Sequence, residues 1–216
     1  MKNNECWYKK VCTNSCTPDC VRFREMSYLI AHSKLPKLLQ TPRELFPATE
    51  EDKKVFDRLS KIKERIVEFV EKGKSLYLAS EQTGTSKTSW AVKLLLKYFD
   101  SIWCGNGLRT RGIFIHVPTL LHELKDFDHK VDLDEIINCD LVIWDDIALT
   151  KLTEYEYSKL LMLIDNRLSN GRANIYTSNR ESKDILSQYV GNVLASRIYN
   201  SSIVLKFNSK DCRGKS

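Results

Sequence analysis

The sequence predicts an α/β fold built on a five-stranded parallel sheet between helices, and three observations carry that expectation. Five short apolar runs stand at residues 76–79, 113–117, 141–144, 174–176 and 203–207. Helical patterns separate them, as at 87–98 and 155–168. Ahead of the first run, Phe56, Leu59, Ile62, Ile66 and Phe69 recur at three- and four-residue spacing, which marks one face of one amphipathic helix. Strands that alternate with helices form parallel sheets, because each right-handed crossover lays a covering element over the sheet.

Three regions follow in order. Residues 1–33 hold a cysteine cluster and a helical stretch at 21–31. Residues 34–48 are a connector in which Pro36, Pro42 and Pro47 break any long helix. Residues 49–216 are the regular α/β part, opened by the amphipathic helix that Gly73 ends as a C-terminal cap. A chain of 216 residues holds one full-sized domain and a small appendage. The 42% hydrophobic and 29% charged fractions are those of an ordinary globular protein. With no run of eighteen apolar residues and no apolar core behind Met1, neither a membrane span nor a signal peptide is expected, which points to the cytoplasm. A net charge of +6 permits nucleic-acid contact without requiring it.

The first apolar run leads into Ser80-Glu81-Gln82-Thr83-Gly84-Thr85-Ser86-Lys87-Thr88-Ser89 and then a helix. Strand, tight loop, Lys-Thr and helix are the parts of a phosphate cradle, in which backbone N–H groups from Thr83 to Ser89 surround the anion. Lys87 is placed to reach the β- and γ-phosphates of ATP, and the Thr88 hydroxyl to ligate Mg2+. Glu81 and Ser86 occupy the two outer glycine positions of the usual pattern, and only Gly84 survives at the middle one. A positive φ at Ser86 would cost roughly 1–2 kcal/mol.

Three further stations follow. The run Leu141-Val142-Ile143-Trp144 ends in Asp145-Asp146. At the end of a strand neighbouring the loop, Asp145 can hold Mg2+ through water and Asp146 can polarise an attacking water. The next run ends in Thr177-Ser178-Asn179, which places Asn179 to touch the γ-phosphate or that water. Near the C-terminus, Arg197 and Arg213 suit a finger reaching a neighbour's γ-phosphate or a sensor within the chain. An acidic turn, a turn asparagine or a surface arginine is ordinary alone; the order loop, Asp-Asp, Asn, Arg is specific.

With these residues in hand, the chain resembles helicase loaders of the DnaC/DnaI type, an AAA+ subgroup related to the transposition ATPase IstB, and its phage branch in particular. The blocks that carry the resemblance are Thr83-Gly84 with Lys87-Thr88-Ser89-Trp90-Ala91, the segment 111–118, Trp144-Asp145-Asp146-Ile147, Ile164-Asp165-Asn166-Arg167 and the closing segment 207–213. The resemblance implies an AAA+ core that forms a homo-oligomer with ATP bound and places a DnaB-type ring helicase on single-stranded DNA. It also implies that Arg197 is the arginine finger and Arg213 the sensor 2 arginine. Only 37 residues follow Asn179, too few for a full helical lid, which loaders of this group likewise lack. Two alternatives stay open: an IstB-like transposition ATPase, and a helicase-binding regulator whose glycine-poor loop hydrolyses nothing.

In the family, helices after the second strand face single-stranded DNA. Here that segment is 119–137, where Lys125, His129 and Lys130 are candidate phosphate contacts among six carboxylates, so a solvated face is the competing reading. Cys6, Cys12, Cys16 and Cys20 place four thiols within fifteen residues, which in a reducing compartment reads as a metal site before it reads as disulfides. Zinc, an iron–sulfur cluster and no metal all stay open, since the spacing is not that of a paired-CxxC finger. Loaders bind their helicase through the N-terminal region, so the resemblance assigns partner docking to this module, with Trp7, Tyr8, Phe23 and Tyr28.

Overall fold

The structure is a computed structural model that describes residues 20–41, 44–102, 107–126 and 131–208. Five strands form one sheet: β1 (Ser75–Ala79), β2 (Gly112–His116), β3 (Leu141–Asp145), β4 (Ala173–Ser178) and β5 (Ser202–Lys206). Their order is β2-β3-β4-β1-β5 and every pairing is parallel, so the sheet is the one the sequence predicts. The strand ending in Asp145 does not neighbour β1, because β4 lies between them.

Alternate side chains of each strand point to opposite faces, which gives the sheet two apolar layers. Leu76, Leu78, Ile143 and Ile175 pack with α1 (Val21–His32), α2 (Glu50–Glu64), α3 (Ile66–Glu71) and α4 (Lys87–Ser101). Tyr77, Ala79, Val142, Trp144 and Tyr176 pack with helices on the other face. These are α5 (Val117–Glu123), α6 (Leu133–Asn138), α7 (Glu154–Ser169), α8 (Lys183–Val190) and α9 (Asn192–Asn200). Both faces are covered, which is why the central strands read as unbroken apolar runs.

Local chemistry sets the helix ends. The Thr49 hydroxyl accepts the Asp52 N–H at 3.1 Å and starts α2 just past Pro47. Thr153 and Glu156 form a reciprocal capping box at α7. The amphipathic stripe from Phe56 to Phe69 is not one helix: it breaks at Arg65, where φ is −113° and ψ 30°. Neither proline nor glycine stands in Lys61-Ile62-Lys63-Glu64-Arg65, so packing of Ile66, Phe69 and Val70 against the sheet prevails over propensity there. Gly73 caps the second piece at φ +59°, and a Cβ on it would lie 2.2 Å from the Gly171 carbonyl. Only glycine fits.

The N-terminal helix is packed with the others rather than held apart from them. Met26 and Leu29 enter the apolar layer over β1 and β3. The Arg22 guanidinium donates to the carbonyls of Phe99, Asp100 and Ile102, the C-terminal end of α4. Just beyond α1, the Ser33 carbonyl accepts the N–H of Phe114 at 2.7 Å, which engages the outer edge of β2.

Candidate nucleotide site

In a parallel sheet every strand ends at the same edge, so β1, β3 and β4 bring their C-terminal residues to one place. The loop leaves β1 there. Ser80 donates its N–H to the Ser178 carbonyl at 3.2 Å, and Phe207 donates to the Ala79 carbonyl at 2.8 Å, which ties the loop's root to β4 and to the end of β5. The Ser80 hydroxyl accepts the Gln82 N–H at 3.1 Å. Gly84 sits at φ +74°, and Ser86, the N-cap of α4, at φ +65°. The positive φ that the glycine-poor sequence raised as a condition is therefore present, on a serine. Replacing Ser86 with glycine should raise unfolding free energy by about 1 kcal/mol, since relief of the strain outweighs the extra entropy of unfolded glycine. A urea midpoint equal to that of the wild type would refute the strain.

Lys87 is buried within the loop, its ammonium donating to the Gln82 carbonyl and to the Thr85 hydroxyl, both at 3.0 Å. The positive charge thus sits in the concavity, beside the first turn of α4, where helix geometry leaves backbone N–H groups without intrahelical acceptors. Such a concavity favours a polyanion.

Across it, the Thr88 hydroxyl donates to Asp145 Oδ1 at 2.7 Å, and the Thr177 hydroxyl donates to the same oxygen at 2.7 Å. Asp145 is buried, and burial pushes its carboxyl pKa above the ordinary range while the two hydroxyls pull it back. Its hydrogen-bond partners are hydroxyls and not a cation. A buried carboxylate beside a threonine hydroxyl is a pair of hard oxygen donors, and that pair fits Mg2+.

Asp146 takes φ +55° immediately after β3. Its N–H donates to the Thr177 hydroxyl at 3.0 Å, and its carboxylate lies 3.8 Å from His116 Nε2 at the end of β2. Asn179 follows β4 directly and is half-buried. Next to it, Arg180 donates to the Ala148 carbonyl and stacks over Tyr189 at 3.8 Å. The structure thus gathers Thr88, Asp145 and Asp146 around the ends of β3 and β4, with Lys87, the first residue of α4, turned into the adjoining loop.

Other sequence-predicted residues lie elsewhere. Arg197 is on α9, half-exposed, in an ion pair with Asp165 of α7 at 3.0 Å. Arg213 falls outside the described residues, as do Cys6, Cys12, Cys16, His129 and Lys130. Cys20, at the N-cap of α1, is a free thiol, and among the described residues no group of three potential metal ligands occurs. The zinc or iron–sulfur expectation therefore rests on residues that lie almost wholly outside the described ones. Lys125 is paired with Glu156 at 2.7 Å. Among the described residues, no helix is long and apolar enough to cross a membrane.

Two residues the sequence reading left without a role stand in this site. One is Thr177. The other is Glu181, whose carboxylate accepts the Glu81 N–H at 3.1 Å and so tethers the segment after Asn179 to the phosphate loop. Neither has a local signal: each acts on a segment 31 to 100 residues away.

No family model and no curated protein matches the chain. Solved structures do. The chain is similar to the DnaC helicase loader, with a TM-score of 0.67 and 22% identity over 80% of this chain and 100% of that one. It is similar to DnaI, with a TM-score of 0.64 and 17% identity over 83% and 94%. DnaA from Aquifex aeolicus, solved with AMPPCP bound, gives 0.61 and 16% over 81% of this chain and 51% of DnaA. At such identities the likeness establishes the fold alone: a five-stranded parallel sheet flanked by helices, with no full helical lid among the described residues, an arrangement consistent with an AAA+ P-loop core.

Proposed function

We propose that this chain is an ATP-switched loader that places a DnaB-type ring helicase on single-stranded DNA during replication. The observation that supports it most is the junction of Lys87, Thr88 and Asp145 at one edge of a sheet whose fold is similar to that of DnaC and DnaI. In this reading, Thr83, Gly84, Thr85, Ser86, Lys87, Thr88 and Ser89 cradle the phosphates, and Lys87 turns from Gln82 and Thr85 onto the β- and γ-phosphates. Thr88 and Asp145 hold Mg2+, which supplies charge neutralisation for the polyphosphate. Asp146 orients the attacking water and takes its proton, and Asn179 contacts the γ-phosphate. Arg197 exchanges Asp165 for the γ-phosphate of a neighbouring copy in the ATP-bound homo-oligomer, and Arg213 serves as the sensor within the chain. Partner docking belongs to the N-terminal cysteine-bearing module, whether it carries zinc, an iron–sulfur cluster or no metal. Through Arg22, that module's helix grips the far end of α4, the helix that starts at the phosphate loop.

A second reading has one observation in its favour. The Glu181 carboxylate occupies the Glu81 N–H and brings negative charge to a loop already strained at Ser86, which suits a helicase-binding regulator that does not hydrolyse ATP. Turnover with helicase and single-stranded DNA present separates the two. The loader reading expects Mg2+-dependent ATP hydrolysis that Lys87→Ala lowers by about a hundredfold or more. Absence of turnover in the wild type selects the regulator.

A further inference from the structure

We propose that Thr177 is a positioning residue for ATP hydrolysis, its one hydroxyl setting the Asp145 carboxylate and the Asp146 backbone relative to each other. The proposal rests on the reading of this edge as a nucleotide site.

The hydroxyl has a single hydrogen, and it goes to Asp145 Oδ1 at 2.7 Å. A lone pair on the same oxygen accepts the N–H of Asp146 at 3.0 Å. One side chain from β4 thereby touches both carboxylate-bearing residues at the end of β3. Strand register explains why it stands there. The β3–β4 pairing ends at Trp144 with Tyr176, while β4 runs on to pair Thr177 with Leu78 and Ser178 with Ala79 of β1. Past Trp144 the β3 chain has no ladder partner on that side, and the Thr177 hydroxyl takes the place of one.

Asp146 needs such an anchor. At φ +55° it has left strand geometry for the left-handed region, which residues other than glycine enter mostly where local hydrogen bonds hold them. With the hydroxyl bond gone, the buried side of that turn presents an unsatisfied N–H, and the carboxylate meant to orient water loses its fixed origin. Asp145 would keep Thr88 as a donor, so the cradle and its Mg2+ ligands survive. The backbone bond from Ile147 N–H to the Thr177 carbonyl, at 3.0 Å, does not depend on the side chain at all. Loss of the hydroxyl therefore acts on the geometry of the reaction more than on binding.

Valine is the same shape as threonine without the hydroxyl, and serine keeps the hydroxyl without the methyl. Thr177→Val and Thr177→Ser are compared with the wild type for ATP turnover, nucleotide affinity and urea unfolding. The expected result is that Thr177→Val lowers kcat at least about tenfold with KM and nucleotide affinity within about threefold, and that Thr177→Ser stays within about threefold of wild-type kcat. A structural role alone would lower unfolding stability and leave kcat where it was. The proposal is overturned by a smaller fall in kcat for Thr177→Val, by an equal loss of affinity and turnover, or by serine failing as badly as valine. If Thr177→Val does not fold, Thr177→Ala, which also lacks the hydroxyl, takes its place under the same criteria. A wild-type chain with no turnover overturns the hydrolysing reading and this proposal together, whereas wild-type turnover with an unaffected valine variant overturns this proposal alone.

Discussion

Arg167→Ala is expected to destabilise the chain by about 3–5 kcal/mol, from the buried acceptors it orphans and the cavity that a fully buried side chain leaves. Arg167 is fully buried on α7 and faces neutral acceptors throughout. Its Nε donates to Asn174 Oδ1 at 2.7 Å, one terminal nitrogen reaches the carbonyls of Ile136, Ile137 and Cys139, and the other reaches Ala173 at 2.6 Å. The positive charge is therefore solvated by the C-terminal carbonyls of α6, the negative end of that helix's dipole, and not by a carboxylate. Burial pulls the guanidinium pKa down, yet an arginine stays charged. Alanine leaves these carbonyls and Asn174 without their donor, and each orphan costs about 1–3 kcal/mol before water enters to relieve part of it. Arg167→Lys should recover less than half of the loss, because a compact ammonium cannot reproduce the planar fork. Urea unfolding measures both variants. A midpoint for Arg167→Ala within error of the wild type would mean that the α6–α7–β4 junction does not depend on this guanidinium.

Asp146→Asn is expected to lower ATP turnover by about a hundredfold or more, the usual loss when a general base goes. Asparagine has the same shape and accepts positive φ better than most residues, so the turn at φ +55° persists and the N–H bond to Thr177 with it. Asp146 is part-exposed, which makes the change inexpensive for folding. Nucleotide affinity should stay within about threefold of the wild type, since the phosphate contacts come from the loop and α4. Asp145→Asn is the contrast: there the buried oxygen that meets Thr88 changes character, and Mg2+-dependent binding should fall as well as turnover. Single-turnover kinetics with ATP separate the two variants. Wild-type turnover in Asp146→Asn would remove it from the reaction.

The strands and the main site residues were legible because their signals are local. The apolar runs at 76–79 and 141–144 need only their own sequence to read as strands, and the structure lengthens each by one residue. Lys87 and Thr88 follow a tight loop in a fixed pattern, and Asp145 closes a buried strand, so chemistry and position coincide in each. Strand order was not legible: nothing in the run ending at Asp145 says that β4 will stand between it and β1. For the same reason Thr177, Glu181 and Arg167 went without roles, since each owes its function to a partner about 30 to 100 residues away. The break at Arg65 escaped because the apolar period runs on across it. The positive φ at Ser86 is the instructive middle case. The motif located the strain, and the backbone carries it at +65°.

Helicase loading is tested most directly by affinity capture of the full chain's partners from its native cell, with and without ATP, alongside Lys87→Ala. A ring helicase that comes down with the wild type, in an amount that ATP changes and that Lys87→Ala makes insensitive to ATP, is the expected result. A transposase in its place, or capture of no ring helicase in either condition, contradicts it.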